Sequence, residues 1–131
     1  MSISSAPRNK FRKSILVVED EPQVRDMLVK ALSSRYIVHQ AADGLAASEL
    51  LGRVATPDLM VCDVMMPRVD GLSLARLVRS NPQLKHMPII FLTAKTSPQS
   101  IIAGIQAGAK HYVHKPFSVS ELLEKIAKLL E

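Results

Sequence analysis

The sequence of 131 residues contains few cysteines, few aromatic residues and no long hydrophobic run. Its single cysteine, Cys62, excludes a disulfide within the chain and fits a reducing compartment. Aromatic residues make up 4% and there is no tryptophan, so few side chains could stack on nucleic-acid bases. No stretch approaches the roughly 18 apolar residues of a membrane span, and the first residues contain no apolar core of a secretory signal. We therefore expect a cytoplasmic protein that makes no contact with a membrane.

The formal net charge of +5 comes from the beginning of the chain. Four basic residues and no acid stand among the first thirteen positions: Arg8, Lys10, Arg12 and Lys13. The rest of the chain is close to neutral, and a short basic tail is typical of a solvated segment. We therefore predict a flexible basic lead over residues 1–13 and one domain over residues 14–131, with no direct nucleic-acid binding by that domain.

Short apolar runs recur along the chain and predict five strands. The run Ile15–Val18 is followed directly by acids, which is typical of a strand buried on both faces. The other predicted strands lie around residues 36–38, 58–62, 88–92 and 112–113. Segments with helical spacing of apolar residues separate these strands. Five strand–helix repeats predict a parallel sheet, doubly wound into a three-layer α/β sandwich.

Local signals place the ends of several helices. Pro22 suits the first turn of the first helix, and Asp43 is a candidate N-cap of the second. A fourth helix is predicted from Ser97-Pro98 to about Gly108, a candidate C-terminal glycine. Ser118 and Glu121 form a capping box before the last helix.

Polar residues follow four of the predicted strands, at the point where each strand ends: Glu19 and Asp20, Asp63, Thr93, and Lys115. Because parallel strands share one carboxyl edge, these side chains should converge. Crowded carboxylates need a cation, and hard oxygen ligands select Mg²⁺. A carboxylate can also act as a nucleophile that forms an aspartyl phosphate, and a lysine can supply charge to a phosphoryl group. Each residue alone has an ordinary structural explanation, but their joint placement indicates phosphoryl transfer.

Four motifs give the chain a resemblance to the receiver domains of response regulators, over about residues 14–131. They are ILVVEDEP at 15–22, DLMVCDVMMPRVDG at 58–71, IIFLTAK at 89–95 and YVHKPF at 112–117. The resemblance implies a flavodoxin-like, five-stranded (βα)5 fold in a two-component signalling system. It also implies that the domain is not an enzyme, apart from its own self-phosphorylation and autodephosphorylation.

The resemblance implies a role for each acid of the constellation. Asp63 would accept a phosphoryl group from a histidine kinase or a histidine phosphotransfer protein. Asp20 and Asp63 would bind Mg²⁺ or Mn²⁺ directly, and Glu19 would act in the same site through water. The backbone carbonyl of Met65 would complete the protein ligands.

The resemblance also implies a switch. Thr93 and Lys115 would contact the phosphoryl oxygens, and the Lys115–Pro116 bond would be cis. Tyr112 would be the switch aromatic that turns inward as Thr93 moves. The face formed by the fourth predicted helix, the fifth strand and the last helix would then change its affinity for a downstream protein or output domain.

Several alternatives stay open beside this interpretation. The chain could be a stand-alone regulator, which we favour because its fourth predicted helix is almost uncharged. It could instead be a module of a longer protein with a DNA-binding, cyclic-nucleotide or hybrid kinase output. A phosphate-independent pseudo-receiver is disfavoured because no motif residue is missing. An aspartate-nucleophile phosphatase would need DxDx[TV] after the first strand, and a flavodoxin-like cofactor binder would need a Ser/Thr/Gly loop; the sequence EDEP at 19–22 is neither.

Overall fold

The computed structural model describes residues 12–64, 70–93 and 111–130, and these form five strands and four helices. In chain order they are β1 Ser14–Val18, α1 Pro22–Ser33, β2 Ile37–Ala41, α2 Gly44–Leu51, β3 Leu59–Asp63, α3 Gly71–Ser80, β4 Ile89–Thr93, β5 His111–His114 and α4 Val119–Leu130. The helix predicted over 97–108 and most of the predicted N-terminal lead lie outside the described residues. None of the described helices is long and apolar enough to cross a membrane.

The five strands form one parallel sheet in the order β2-β1-β3-β4-β5. The chain runs outward from β1 to β2, crosses back over β1 to reach β3, and then continues to β4 and β5. The direction of winding therefore reverses between β1 and β3. Such a reversal leaves a crevice at the carboxyl ends of the two strands, which is where ligands bind in open α/β sheets.

Helices cover the sheet on both faces, as the alternation of buried residues along the strands shows. Leu16 and Val18 of β1 belong to one apolar cluster, together with residues of α2 and α3. Ile15 and Val17 belong to a second cluster with residues of α1 and α4. All four of these β1 side chains are fully buried. The predicted three-layer, doubly wound α/β sandwich is confirmed.

The helix N-caps follow the sequence signals. The Asp43 carboxylate accepts a hydrogen bond from the Ala46 N–H, and the Asp70 carboxylate accepts one from the Ser73 N–H, each over 2.8 Å. Ser118 Oγ accepts from the Glu121 N–H over 3.3 Å. These bonds satisfy N–H groups that lack a partner in the first turn of a helix.

The observed bounds of all five strands differ from the predicted ones by one to three residues. β2 begins after Tyr36 and continues through His39 and Gln40 to Ala41. Polar residues are tolerated there because β2 is an edge strand that pairs with β1 alone. Asp58 precedes β3, and its carboxylate accepts the Ser14 N–H over 2.8 Å.

Some large apolar side chains on three of the helices stay exposed. Met27, Leu45 and Leu77 are the large apolar side chains in question. Their neighbours Leu28, Leu51 and Leu74 are buried.

The described chain is already tied to the fold at its first residues. Arg12 Nη2 donates to the Ser34 carbonyl over 3.1 Å, and the Lys13 carbonyl accepts the Ile37 N–H over 2.9 Å. The boundary between residues 13 and 14 stays a prediction.

Candidate functional site

The polar residues predicted to converge stand at one edge of the sheet. Glu19 and Asp20 directly follow β1, Asp63 is the last residue of β3, Thr93 is the last residue of β4, and Lys115 directly follows β5. One carboxylate oxygen from each of Glu19, Asp20 and Asp63 lies within 4.8 Å of the other two. The structure thus forms an acidic pocket in the crevice between β1 and β3.

Burial distinguishes the members of this pocket. Glu19 is 0% exposed, Asp63 5% and Thr93 4%, whereas Asp20 is only partly buried. The strands that carry these residues end in fully buried apolar runs, which fix the backbone at the floor of the pocket. Buried charges are costly without a partner of opposite sign, so the pocket must contain or recruit positive charge.

Lys115 supplies positive charge to this pocket. Its Nζ lies 3.0 Å from Glu19 Oε1 and 3.1 Å from Asp63 Oδ2, and 3.9 Å from Oε1 of the exposed Glu21. Burial alone would lower the pKa of Lys115, but its close contacts with the carboxylates of Glu19 and Asp63 outweigh that effect and raise the pKa. Lys115 is therefore a cation throughout the physiological range and holds two carboxylates together.

Glu19 has the most perturbed carboxylate of the pocket. Burial, reinforced by the charge of Asp63, raises its pKa from 4.5 to about 7. Contact with Lys115 and a hydrogen bond from the Glu21 N–H to Oε2, over 3.1 Å, oppose that rise. Oε1 is close to Lys115 but outside hydrogen-bonding geometry, and it has no hydrogen-bond partner among the described residues.

The chemistry of these donors fits a divalent ion with a preference for oxygen. Three carboxylates stand close together, and one buried oxygen of Glu19 has no hydrogen-bond partner within the described ranges. Mg²⁺ and Mn²⁺ favour such hard ligands. Met65, whose carbonyl is the fourth predicted protein ligand, lies outside the described residues.

Thr93 and Lys115 are joined through the backbone. The Lys115 N–H donates to the Thr93 carbonyl over 2.9 Å, directly past the register pair of Thr93 with His114. The Lys115–Pro116 peptide bond is cis, as the resemblance implied. The hydrogen bond between the Lys115 N–H and the Thr93 carbonyl connects the backbones of the two residues expected to contact a phosphoryl group.

Tyr112 stands beside β4 near the pocket. It pairs in register with Phe91, and the two ring centroids lie 5.9 Å apart at an interplanar angle of 42°. Partial burial raises the pKa of the Tyr112 hydroxyl, so the side chain is neutral near pH 7. The phenol therefore rests partly against the apolar cluster under α2 and α3.

Gly71 is a contributor that sequence reasoning missed. A Cβ at this position would lie 2.3 Å from the Asp63 carbonyl oxygen and 3.0 Å from the Val64 Cα. Only glycine lets the start of α3 approach the backbone of the phosphoacceptor candidate this closely. No sequence pattern around Asp70 and Gly71 indicates this contact.

Cys62 is a small buried residue of β3. It is fully buried in the cluster under α2 and α3, and its thiol donates to the Asp63 carbonyl over 3.3 Å. Burial raises the thiol pKa well above its usual value, and the nearby acids add to that rise. A protonated thiol is a poor nucleophile.

The chain belongs to the response regulator receiver domain family, whose profile matches residues 15–127. It is therefore a receiver domain of the kind used in two-component signalling. Receiver domains of such systems interact with histidine kinases and output domains, and they generally bind Mg²⁺ in an acidic pocket.

The chain is similar to a regulator and to part of a sensor kinase. It is 45% identical over 117 residues to the response regulator MprA of Mycobacterium leprae, across 88% of this chain and 50% of MprA. It is 40% identical over 116 residues to hybrid signal transduction histidine kinase D of Dictyostelium discoideum, across 88% of this chain and 7% of the kinase. The chain thus spans about half the length of MprA and a small part of the kinase.

A solved structure supports the fold along nearly the whole chain. The chemotaxis protein CheY4 of Vibrio cholerae superposes with a TM-score of 0.84 at 32% identity, covering 90% of this chain and 98% of CheY4. The predicted flavodoxin-like receiver fold is confirmed.

Proposed function

We propose that Asp63 accepts a phosphoryl group from a phosphohistidine of a histidine kinase or histidine phosphotransfer protein. The assignment rests on three properties that only Asp63 combines among the described acids. Its carboxylate belongs to the acidic pocket, touches the Lys115 ammonium and retains slight exposure to solvent. Glu19 is fully buried and cannot be reached by a donor, and Asp20 has no ion pair with Lys115 in the described ranges.

The divalent ion belongs to the same proposal. Glu19, Asp20 and Asp63 would hold Mg²⁺ or Mn²⁺, with the Met65 carbonyl as a further predicted ligand. When bound, the ion would offset the negative charge of the phosphoryl oxygens. Glu19 Oε1 is buried and in contact with the Lys115 ammonium, but it has no hydrogen bond among the described residues, and this supports a role in the site, either directly or through a bound water.

The transfer itself exchanges one bond to phosphorus for another. The P–N bond of the phosphohistidine breaks, a P–O bond to an Asp63 carboxylate oxygen forms, and the imidazole nitrogen keeps the electron pair. Lys115 already holds Asp63 Oδ2 at 3.1 Å and would move its contact to a phosphoryl oxygen. The Thr93 hydroxyl would donate to another oxygen of the group, and the bond between the Lys115 N–H and the Thr93 carbonyl would link the two movements.

A switch would follow from that movement. Tyr112 lies on the strand beside β4 and packs near Phe91, so a shift of Thr93 toward the phosphoryl group would change the space beside the phenol. The altered face, made of β5, α4 and the helix predicted over 97–108, would bind a downstream protein or an output domain. Coupling between two such sites is typically about 1–3 kcal/mol.

Acetyl phosphate with Mg²⁺ tests the assignment of Asp63. We expect the wild-type domain to gain one phosphoryl group by intact mass, and the modification to be removed by hydroxylamine, as an acyl phosphate is. Asp63→Asn should abolish the gain. Asp58→Asn is the matched control, because Asp58 lies at the opposite end of β3 and binds the Ser14 N–H. Modification of the Asp63→Asn variant at the wild-type rate would contradict the assignment.

Two molecular contexts fit the domain. One is a regulator that receives phosphate and acts through a partner, and the other is a receiver within a longer protein. The similarity to half of MprA and to 7% of a hybrid kinase supports the second context. The length of the open reading frame that encodes the chain decides between them.

A further inference from the structure

Arg25 lies in the first turns of α1 and reaches back to the end of β1. Its Nη1 donates to the Glu19 carbonyl over 3.0 Å, across six positions of the chain. That carbonyl belongs to the peptide group that joins Glu19 to Asp20. The guanidinium therefore holds the backbone between two acids of the pocket, without touching their carboxylates.

The Glu19 carbonyl accepts a side-chain donor, and none of the backbone N–H groups in the described part of the chain takes that place. The register of β1 with β3 ends at the pair Val18 and Cys62, so the carbonyl lies past the sheet ladder. Pro22, at the first position of α1, has no N–H to donate. Within the described ranges no backbone N–H donates to this oxygen. Arg25 satisfies an acceptor that would otherwise be left to water.

Two other hydrogen bonds hold the same loop. The Glu19 N–H donates to the Ala41 carbonyl over 3.1 Å, and Glu19 Oε2 accepts the Glu21 N–H over 3.1 Å. The hydrogen bond from Arg25 is the third contact that holds the loop, and it orients the peptide group between Glu19 and Asp20. Loss of this contact would let that peptide rotate and change the separation of the Glu19 and Asp20 carboxylates.

We propose that Arg25 is a positioning residue for the metal site, acting through the peptide group between Glu19 and Asp20. This proposal rests on the proposed Mg²⁺ site. Groups that orient metal ligands affect affinity strongly, and their loss typically weakens metal binding by about 10–100-fold.

The positive charge of Arg25 and its positioning of the backbone have opposite effects on Mg²⁺ affinity. A cation close to the acidic pocket repels Mg²⁺, and Arg25 forms no ion pair among the described residues that would cancel its charge. If Arg25 acted by charge alone, its removal would tighten Mg²⁺ binding. Positioning requires that removal weaken binding, so the sign of the change in Kd separates the two effects.

The test is a calorimetric titration of Mg²⁺ into wild type, Arg25→Met and Arg25→Lys. We expect Arg25→Met to raise the Kd by about tenfold. Arg25→Lys keeps the charge and one donor, so its Kd should fall between those of wild type and Arg25→Met.

Arg79→Met is the matched control for this titration. Arg79 Nη1 also donates to backbone carbonyls, those of Lys85 and Met87 over 2.9 and 2.8 Å, but at the junction before β4 and away from the pocket. Its replacement should lower the unfolding midpoint and leave the Mg²⁺ Kd within about twofold of the wild-type value. A merely structural role for Arg25 would give the same pattern as this control.

A second readout needs no metal. In the metal-free protein, Arg25→Met should shift the backbone amide resonances of Asp20 and Glu21 in ¹⁵N-correlated spectra, and Arg79→Met should not. If Arg25→Met does not fold, Arg25→Lys carries both measurements.

Several results would overturn the proposal. An unchanged or lower Kd in the Arg25 variants would do so, as would an equal rise in Arg79→Met or unmoved Asp20 and Glu21 amides. If wild type itself does not bind Mg²⁺, the proposed function fails. The amide shifts of the metal-free variants then still decide whether Arg25 holds the loop.

Discussion

Replacing Glu19 with glutamine should make the metal-free domain more stable at alkaline pH, although it changes a member of the candidate metal site. The substitution keeps the shape of the side chain and deletes one negative charge from a pocket of three carboxylates. Glu19 is fully buried, and burial together with the charge of Asp63 raises its pKa from 4.5 to about 7. An acid that binds its proton more tightly in the folded state makes folding less favourable as the pH rises.

The size of the effect follows from the two pKa values. Between pH 4.5 and about 7 the folded protein holds more protons at Glu19 than the unfolded chain, so its stability falls as pH rises through this window. At 1.36 kcal/mol per pKa unit the full loss is on the order of 3 kcal/mol, and about 2.5 kcal/mol of it falls between pH 5 and pH 8. A glutamine side chain does not titrate, so this part of the pH dependence should disappear in Glu19→Gln.

The assay is urea unfolding followed by far-UV circular dichroism, with chelator present, at pH 5 and pH 8. The chain has no tryptophan, so backbone ellipticity is the appropriate signal. The free energy of unfolding of Glu19→Gln, measured relative to wild type, should rise by about 2.5 kcal/mol between pH 5 and pH 8. For Glu49→Gln, the same change on the exposed side of α2, the free energy of unfolding relative to wild type should be the same at both pH values. Added Mg²⁺ should stabilise wild type at pH 8 and stabilise Glu19→Gln much less. Parallel pH profiles for wild type and Glu19→Gln would refute this account of the pocket.

Two substitutions outside the acidic pocket test how the fold supports it. Gly71→Ala should lower the free energy of unfolding by about 1–3 kcal/mol, since the added Cβ would overlap the Asp63 carbonyl. In the control Gly52→Ala the nearest contact of the added Cβ would be an ordinary 3.5 Å, so the free energy of unfolding should change by less than about 1 kcal/mol. Equal urea midpoints for the two variants would contradict the steric argument. Asp43→Ala should cost about 1 kcal/mol through loss of its bond to the Ala46 N–H, without altering the Mg²⁺ Kd. A weaker Mg²⁺ affinity in Asp43→Ala would show that α2 influences the pocket.

The succession of strands and helices along the chain and the convergence of the pocket could be predicted because they depend on repeating patterns. A fully apolar run such as Ile15–Val18 indicates a buried parallel strand, and the residue that ends such a strand must lie at the common carboxyl edge. On this basis Glu19, Asp63 and Lys115 are predicted to lie close together, although up to 96 positions separate them in the chain. The observed distances of 3.0 and 3.1 Å from the Lys115 Nζ agree with this prediction.

The features that escaped prediction depend on how elements approach one another in space. Arg25 donates a hydrogen bond to the backbone carbonyl of Glu19. Because every residue type has a backbone carbonyl, no sequence pattern marks this contact. The contact between Gly71 and the Asp63 carbonyl arises only when α3 has packed onto the sheet. The end of β2 was misplaced because His39 and Gln40 carry no apolar alternation, although their backbone pairs fully with β1.

The alternation of β3 between the two apolar clusters ties the integrity of the fold to its signalling competence. Met60 and Cys62 face one layer, and Leu59 and Val61 face the other. A slip of one residue along this strand would invert every side chain between the layers. It would also carry Asp63 away from Lys115 and expel its carboxylate from the crevice. Under the proposed role of Asp63, a molecule assembled in the wrong register could not accept a phosphoryl group, so an error in folding would silence the domain instead of leaving it permanently switched on.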